Sequence, residues 1–145
     1  MAIETDRLYD RDFVEWTKHT AENLREGRIS ACDIALVAEE IEDMGKRDQR
    51  SARSNLRILL HHLLKWKLQP GKRSTSWRAS IVEHRRRLHD LFLQSPSLRN
   101  HVFSGLNEVY RDALTDVEVE TGLKAIPERC PWQITEILRP DFFPD

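Results

Sequence analysis

The stretch Asp33–Gly71, DIALVAEEIEDMGKRDQRSARSNLRILLHHLLKWKLQPG, decides the fold class. Its apolar residues recur at spacings of three and four, which predicts one face of an α-helix. The inward positions are Ile34, Val37, Ile41, Met44, Ala52, Leu56, Leu59, Leu63 and Trp66. Gly45 and Asp48 interrupt this face, so one bent helix and two separate helices both fit the pattern. Pro70–Gly71 ends the helix, because proline has no amide hydrogen to donate.

The segment before this stretch predicts another amphipathic helix. It is expected to begin at Asp10, whose carboxylate can cap the first turn, and to end at Gly27, which tolerates the left-handed conformation. The predicted buried face of this helix consists of Phe13, Trp16, Thr20 and Leu24.

The segments after Gly71 predict two further long helices and a tail. Ser74 or Ser76 is expected to cap the first of these helices. One side of this helix is expected to be buried, with Arg85, Arg86 and Arg87 distributed around the other sides. The buried side is Trp77, Ile81, Leu88, Leu91 and Phe92. Ser95-Pro96 leads into the second, which is expected to run to Gly122. The proline-rich tail has room for one short helix, from about Pro131 to Leu138.

The pattern as a whole predicts an all-α, single-domain helical bundle over residues 1–145. Four to five main helices are expected, with the short helix of the tail packed back on the bundle. No segment alternates apolar and polar residues in the manner of a strand.

Composition predicts a soluble globular protein, with 39% hydrophobic and 32% charged residues among 145. The acidic, mixed start and the lack of a long apolar window predict neither a leader nor a membrane span. Cys32 and Cys130 are far apart in sequence, which indicates reduced thiols rather than a disulfide framework. We therefore expect a cytoplasmic protein that does not associate with membranes.

Charge is uneven although the net charge is −1. The middle of the chain, from Lys65 to Arg87, is basic, and acidic segments lie on either side of it. This distribution fits acidic helices that pack beside a basic one, and it also fits a basic surface that binds phosphate or an acidic partner.

A run of short motifs resembles a known family. In order, they are YDRDFVEW, EEIEDMG, LLHHLLKW, RSTSWRASI, SPSL, ETGL, PERCP and DFFP. Together they are similar to the bacterial helical family catalogued as domain of unknown function number twenty-nine, over residues 9 to 145. The resemblance implies an all-helical fold and brings no established activity with it.

The usual metal motifs are incomplete. Glu39 and Glu42 form an ExxE pair, but no second ExxD follows in the place where helical pyrophosphohydrolases have it. The glutamates have no histidine three residues later, and the histidines lack the HxxxH and HExxH spacings of zinc sites. We expect no metal and no cofactor.

The histidines at 61 and 62 lie in the most leucine-rich part of the chain. Arg57 and His62 match the Arg-x4-His spacing of some helical ribonucleases, which makes Arg57, His62 and Lys65 the candidate catalytic residues. His62 can equally be a packing residue that pairs with Glu40 or Glu120. His61 is expected to point away.

Candidate binding residues follow from the same segment. A polar pocket between helices would contain Glu40, His62, Lys65 and Arg78. The basic run Arg85, Arg86 and Arg87 would bind phosphate, and tryptophans near it would stack on bases.

No complete catalytic set is present, which favours a protein without catalysis. The sequence predicts a small cytosolic helical module, interacting or regulatory, that binds a protein partner or forms a homodimer. The alternative is an RNA-binding or RNA-cleaving protein that uses Arg57, His62 and the basic segment. A shared cleft holding Arg57, His62 and Arg78 would favour this alternative, and dispersed, ion-paired side chains would favour the first reading.

Overall fold

The computed structural model describes residues 8–124 and 126–145, and every regular element in these ranges is a helix. The elements are α1 (Leu8–Arg11), α2 (Phe13–Arg25), α3 (Ala31–Leu68), a 3₁₀ turn (Pro70–Lys72), α4 (Thr75–Gln94), α5 (Ser97–Ser104), α6 (Leu106–Thr121) and α7 (Ile134–Ile137). The predicted all-α class and the four to five main helices are confirmed. In the part of the chain described, no helix combines the length and the apolar character that crossing a bilayer requires.

The chain divides into two compact units, Met1–Gly45 and Lys46–Asp145. We call them the N-terminal unit and the C-terminal unit. The division falls within α3, whose first half belongs to one unit and whose second half belongs to the other. The single domain over residues 1–145 remains a prediction.

The N-terminal unit begins with two helices where the sequence predicts one. α1 ends at Arg11, and the Asp12 carboxylate then caps α2 by accepting the Glu15 amide at 3.1 Å. The predicted cap at Asp10 is therefore wrong. A capping side chain accepts an amide two or three residues after it, as Asp12 does for α2, whereas Asp10 lies inside α1. Gly27 adopts a positive φ of 71° after the helix, as predicted.

α3 is one continuous helix of 38 residues. Gly45 and Asp48 both lie inside it, so the alternative with two separate helices is wrong. Gly45 has a helical conformation, and a Cβ placed on it would contact nothing within 4 Å. The helix ends before Pro70, as the sequence predicts.

The core of the C-terminal unit is built from the second half of α3 together with α4, α5 and α6. The predicted inward positions Leu56, Leu59 and Leu63 are fully buried there. The side chains that complete the core include Ile81, Leu88, Val102, Val109, Tyr110, Ala113 and Val117. Ser74 caps α4 by accepting the Trp77 amide at 3.1 Å, which confirms one of the two predicted caps.

The last long helix of the prediction is two helices. α5 ends at Ser104 and α6 begins at Leu106, with the buried Gly105 between them. A Cβ on Gly105 would lie 3.0 Å from Arg53 Nη2 and 3.2 Å from the His101 carbonyl oxygen. A side chain would therefore crowd the junction, which periodicity alone does not reveal. α6 ends at Gly122 with φ of 75°, as predicted.

The tail folds back on the C-terminal unit. α7 lies within the predicted range, and Ile137 and Leu138 are buried. Tyr110 donates a hydrogen bond to the Pro127 carbonyl at 2.7 Å, and the Phe143 ring packs 5.1 Å from the Trp66 ring. Trp66 is only partly buried, although its position on the apolar face predicts core.

Candidate functional site

Two of the three candidate catalytic residues, Arg57 and Lys65, lie on a polar seam of the C-terminal unit, where α3 faces α6. His61 Nε2 lies 2.6 Å from Glu120 Oε2, and Lys65 Nζ donates to Glu120 Oε1 at 2.9 Å. The Lys65 side chain is buried, since the residue is only 5% exposed, and its ammonium lies 4.5 Å from the Trp77 ring centroid. The hydrogen bond from Lys65, followed by that from His61, lowers the pKa of the Glu120 carboxyl. Glu120 thus balances the charge of a buried lysine.

His62 faces α4 and not α6. Its Nδ1 lies 2.9 Å from the Ile58 carbonyl oxygen, and the Ser80 hydroxyl lies 3.4 Å from the same nitrogen. Ser80 Oγ is also 3.3 Å from His84 Nδ1, which in turn is 2.8 Å from the Ser80 carbonyl oxygen. A ring nitrogen that bonds a carbonyl must carry the proton, so both Nδ1 atoms are donors. Neither can take the Ser80 proton, so this trio lacks the base of a serine nucleophile.

Burial lowers the pKa of His62, and the neighbouring charges of His61, Lys65 and His84 act in the same direction. The imidazole is therefore held in its neutral form, as a donor to the helix backbone. This is the role of a packing residue, one of the two alternatives that the sequence leaves open.

The prediction that His62 pairs with Glu120 is wrong. Glu120 binds His61, the histidine that was expected to point away, while Glu40 accepts a hydrogen bond from the Tyr9 hydroxyl at 2.5 Å within the N-terminal unit. That bond is the main cause that raises the pKa of Tyr9 to about 12. Within the N-terminal unit, Glu40 is therefore the partner of Tyr9, and the polar pocket of Glu40, His62, Lys65 and Arg78 stays a prediction.

Arg57 belongs to the same seam as His61 and Lys65. Its guanidinium makes a bidentate pair with Asp116, with Nε and Nη2 donating at 2.7 Å and 2.8 Å. The pair raises the pKa of Arg57 and lowers that of Asp116. One turn earlier on α3, Arg53 Nη2 donates to Glu108 at 3.1 Å. α3 thus presents a base every four residues from Arg53 to Lys65, and these bases pair with Glu108, Asp116 and Glu120 of α6.

A cleft of about 240 Å³ lies along this seam, between α3 and α6. Its lining residues are Arg50, Arg53, Ser54, Arg57, Glu108, Val109 and Asp112. Arg57 is one of them, whereas His62 and Arg78 are not. Arg57, His62 and Arg78 therefore do not line this cleft together, which is the arrangement that would have favoured RNA cleavage.

The basic residues of α4 are each engaged. Arg85 is only 2% exposed, and its guanidinium donates to the carbonyl oxygens of Ile137, Pro140 and Phe142 at 2.9, 3.1 and 2.7 Å. Its predicted position on the exposed side of α4 is therefore wrong. On a helical wheel, Arg85 lies at the edge of the apolar face of α4. The carbonyl groups of the tail accept hydrogen bonds from its guanidinium at this position.

The other three arginines are at the surface. Arg86 and Arg87 bind the same carboxylate of Glu83, at 2.5 Å and 2.9 Å. The Arg78 guanidinium lies over the Phe143 ring, 4.5 Å from its centroid. The side chains of the basic segment are thus dispersed, and Glu83 forms ion pairs with Arg86 and Arg87.

Metal ligands do not cluster in the part of the chain that the structure describes. No three His, Cys, Asp or Glu side chains come close enough there to hold an ion. Glu39 and Glu42 are both exposed on α3.

The feature that the sequence did not predict is an apolar groove in the N-terminal unit. It has a volume of about 150 Å³ and lies between α2 and the first half of α3. Its lining residues are Trp16, Thr17, Thr20, Ala21, Leu24, Val37, Glu40 and Ile41. Leu24 and Ile41, both predicted to be core, are 48% and 62% exposed.

Further apolar side chains around the groove are also exposed. Phe13, Ile34 and Met44 were expected on buried faces and are not buried, and Val14 is exposed beside them. Only Trp16 and Thr20 are buried among the described residues of this unit. Two helices packed together cannot bury the whole apolar face of each. Apolar spacing predicts such a face, but it does not show whether another element covers it.

The fold and the site define an all-α chain with an ion-paired polar seam and an uncovered apolar groove. The chain belongs to the family described as domain of unknown function DUF29, whose family model matches residues 8–143. The resemblance carried by the eight motifs is thereby confirmed. Neither the curated proteins nor the solved structures contain a match to this chain.

Proposed function

We propose that this protein is a helical interaction module, without catalysis of its own, that binds an amphipathic helix of a protein partner in the groove of the N-terminal unit. The observation that carries the proposal is the exposed apolar surface of α2 and α3, with Leu24 and Ile41 open to solvent. Exposed apolar clusters of this kind favour association, because covering them removes apolar area from water.

The shape and chemistry of the groove support a helix as the occupant. Two antiparallel helices present a channel that a third helix can fill with residues at spacings of three and four. The lining of the groove is mostly apolar, with Trp16, Ala21 and Leu24 from α2 and Val37 and Ile41 from α3. Glu40, already hydrogen bonded to Tyr9, adds one polar edge.

The state of the polar seam supports a module without catalysis. His61, Lys65 and Arg57 all have carboxylate partners, and His62 is a donor to its own helix. A catalytic base needs a lone pair directed at substrate, and these side chains use their polar atoms within the protein. The nucleic-acid alternative draws less support for the same reason, since phosphate would have to displace existing pairs.

The proposal includes a bacterial origin and a cytoplasmic location. The resemblance of the motifs supports the first. The two cysteines, distant in sequence, support a reducing compartment.

Site-specific photocrosslinking in the cells that make the protein tests the proposal. A photoreactive residue at Ile41 or Leu24 is expected to give a covalent protein adduct. The matched control is Leu93 on α4, an apolar residue that is 82% exposed and far along the chain from the groove.

The adducts distinguish the outcomes. Adducts at both groove positions that exceed those at Leu93 support the proposal, whatever protein is attached. Adducts that are absent, or no more abundant than those at Leu93, would contradict it.

A further inference from the structure

We infer that the cleft between α3 and α6 binds a small zwitterion, an amino carboxylate whose carboxylate lies beside Arg50 and whose ammonium group lies beside Asp112. This inference goes beyond the proposed function, because the cleft lies in the C-terminal unit and the apolar groove lies in the N-terminal unit. It follows from the order of the charges along the cleft and from the two that have no partner in the protein.

α3 and α6 run in the same direction along the cleft. Arg53 pairs with Glu108, and Arg57, about one turn later on α3, pairs with Asp116, further along α6. Asp112 lies midway in sequence between these two acids. Its level along the cleft is therefore between Arg53 and Arg57.

The basic end of the cleft is Arg50. This exposed residue lines the cleft about one turn of α3 before Arg53. Two arginines three residues apart on a helix repel each other, and of these two only Arg53 forms an ion pair within the part of the chain that the structure describes. Ser54, one turn after Arg50, adds an exposed hydroxyl to the lining. A guanidinium and a hydroxyl can both donate to one carboxylate.

The acidic end of the cleft is Asp112. It is exposed on the opposite wall, and its carboxylate forms no ion pair among residues 8–124 and 126–145. The hydrogen bond to Asp116 raises the pKa of Arg57, and the charges of Asp116 and Asp112 act in the same direction. Arg57 therefore has two carboxylates near it, whereas Arg50 has none at ion-pair distance. An ammonium group beside Asp112 would balance the second of these carboxylates.

The charges of the cleft favour a ligand that carries both signs. Three arginines meet three carboxylates, namely Arg50, Arg53 and Arg57 against Glu108, Asp112 and Asp116. The sum of these formal charges is zero, so the cleft selects neither anions nor cations as such. A ligand with one charge would balance one end of the cleft only, whereas a zwitterion balances both.

The middle of the cleft suits a short apolar chain. Val109, which is only 4% exposed, lines the cleft between its two ends. The volume of about 240 Å³ is several times the share of one water molecule, about 30 Å³. From Arg50 to the level of Asp112, α3 rises by about 5–10 Å, at about 1.5 Å per residue. A few methylene groups span this distance and would pack on Val109.

An NMR titration of the isotope-labelled full chain at constant ionic strength tests the class of ligand. The probes are γ-aminobutyrate and ε-aminocaproate, which differ in the separation of their charges. Caproate and hexylamine are the counterparts that carry one charge each. ε-Aminocaproate is expected to bind about tenfold or more tightly than either counterpart, because it alone meets both ends of the cleft.

Two variants test the two ends of the cleft separately. Arg50→Gln is expected to lower the affinity for ε-aminocaproate about tenfold, to that of hexylamine. Asp112→Asn is expected to lower it about tenfold as well, to that of caproate. Arg129→Gln removes an exposed arginine of the same unit that does not line the cleft, and it should leave the affinity unchanged. Far-UV circular dichroism checks that the variants remain helical.

Three outcomes would overturn the inference. They are an absence of saturable shifts with both amino carboxylates, a zwitterion that binds no more tightly than its counterparts, and an affinity that neither Arg50→Gln nor Asp112→Asn lowers more than Arg129→Gln. None of them changes the adducts expected at Leu24 and Ile41. The inference and the proposed function therefore fail separately.

Discussion

Arg85 shows how one residue can hold a tail in place. Its three guanidinium nitrogens each donate one hydrogen bond, to the carbonyl groups of Ile137, Pro140 and Phe142, which belong to a segment without a long helix of its own. Burial lowers the pKa of this guanidinium to about 10, which still leaves it charged at neutral pH. The residue was a candidate for binding a ligand, and the tail occupies it instead.

Arg85→Leu is expected to destabilise the protein by about 3 kcal/mol, because three carbonyl groups lose a charged donor. Arg85→Lys keeps the charge but cannot reach all three carbonyl groups, so we expect a smaller loss. Urea unfolding measures both. Arg86→Leu, on the exposed side of the same helix, is the control, and an equal loss there would contradict the role given to Arg85.

His62 is expected to make stability depend on pH. Burial holds its pKa below the ordinary value of 6.5 in the folded protein, so the unfolded chain takes up a proton at a higher pH than the folded chain. Stability should therefore fall as the pH drops from 6.5 through the folded pKa, and no such loss from this residue is expected above 6.5.

His62→Asn tests this effect, because asparagine keeps a donor for the Ile58 carbonyl and does not titrate. Urea unfolding at about pH 7.5 and about pH 5.5 should show a smaller loss on acidification in the variant than in the wild type. An imidazole titration by NMR gives a direct check. A pKa of His62 at or above 6.5 would contradict the expected sign.

At the scale of helices, α3 is the element on which both units depend. Its second half presents leucines to the core and bases to α6, while its first half leaves apolar residues exposed beside α2. The same apolar spacing therefore continues from the half of α3 whose apolar residues are exposed into the half whose leucines are buried. The helix passes through Gly45 without interruption, at some cost to its stability.

Gly45→Ala is expected to stabilise the protein by about 0.5–1 kcal/mol, since alanine favours a helix and its Cβ would meet no neighbour. Gly122→Ala is the matched contrast, because Gly122 has a φ of 75°. It should destabilise by about 1 kcal/mol. Thermal unfolding measures both changes, and a destabilising Gly45→Ala would indicate that α3 is not a regular helix there.

The seam between α3 and α6 is expected to contribute modestly to stability. A double-mutant cycle on Arg57→Ala and Asp116→Ala should give a coupling free energy of about 0.5–1 kcal/mol, because the pair is bidentate but partly exposed. Since the folded pKa of Asp116 is lowered, its contribution is present above the unfolded pKa and is lost as the pH falls through the folded value. Added salt should reduce the coupling, and a coupling of zero at low salt would contradict a contribution from the pair.

At the scale of the whole molecule, charge is balanced by pairs rather than concentrated in a patch. The net charge is −1, and within the basic middle of the chain Lys65 binds Glu120 of α6, Arg86 and Arg87 bind Glu83, and Arg85 donates to carbonyl groups of the tail. The apolar surface is uneven instead, because exposed large apolar residues concentrate in the N-terminal unit. Association through this surface is thus the behaviour we expect to dominate.

Short RNA and DNA are expected to bind weakly at low salt and without cleavage. Electrophoretic binding across a salt series measures this, since a true phosphate interface loses affinity steeply as salt rises. The informative variant is Arg86→Ala, Arg87→Ala, because adding Arg85→Ala would also release the tail. Salt-sensitive binding that this double variant abolishes would favour the nucleic-acid alternative.

Much of the secondary structure could be predicted from the sequence. Periodicity placed the leucines of α3 in the core, and local chemistry placed Ser74, Gly27 and Gly122 at helix ends. The cap at Asp12 and the break at Gly105 were missed. The first is a choice between two nearby capping residues, and at the second the close neighbour of Gly105 is Arg53 of another helix, which helical periodicity does not show.

Which residues form the candidate site could be predicted from the sequence, but which residues they contact could not. The sequence grouped His61, His62 and Lys65, because they share one helix. It assigned Glu120 to the wrong histidine, since a helical wheel gives directions and does not say which helix lies in each direction.

By itself, then, the sequence determined the helices and the buried half of α3, because those depend on local spacing and on turns. Only the tertiary structure decided which side chains pair, where Arg85 lies and which apolar face stays open. Whether a side chain is buried depends on the elements that pack against its face of the helix. No described helix fully buries Leu24 and Ile41. The open groove follows from that packing, and the interaction proposed for this protein follows from the groove.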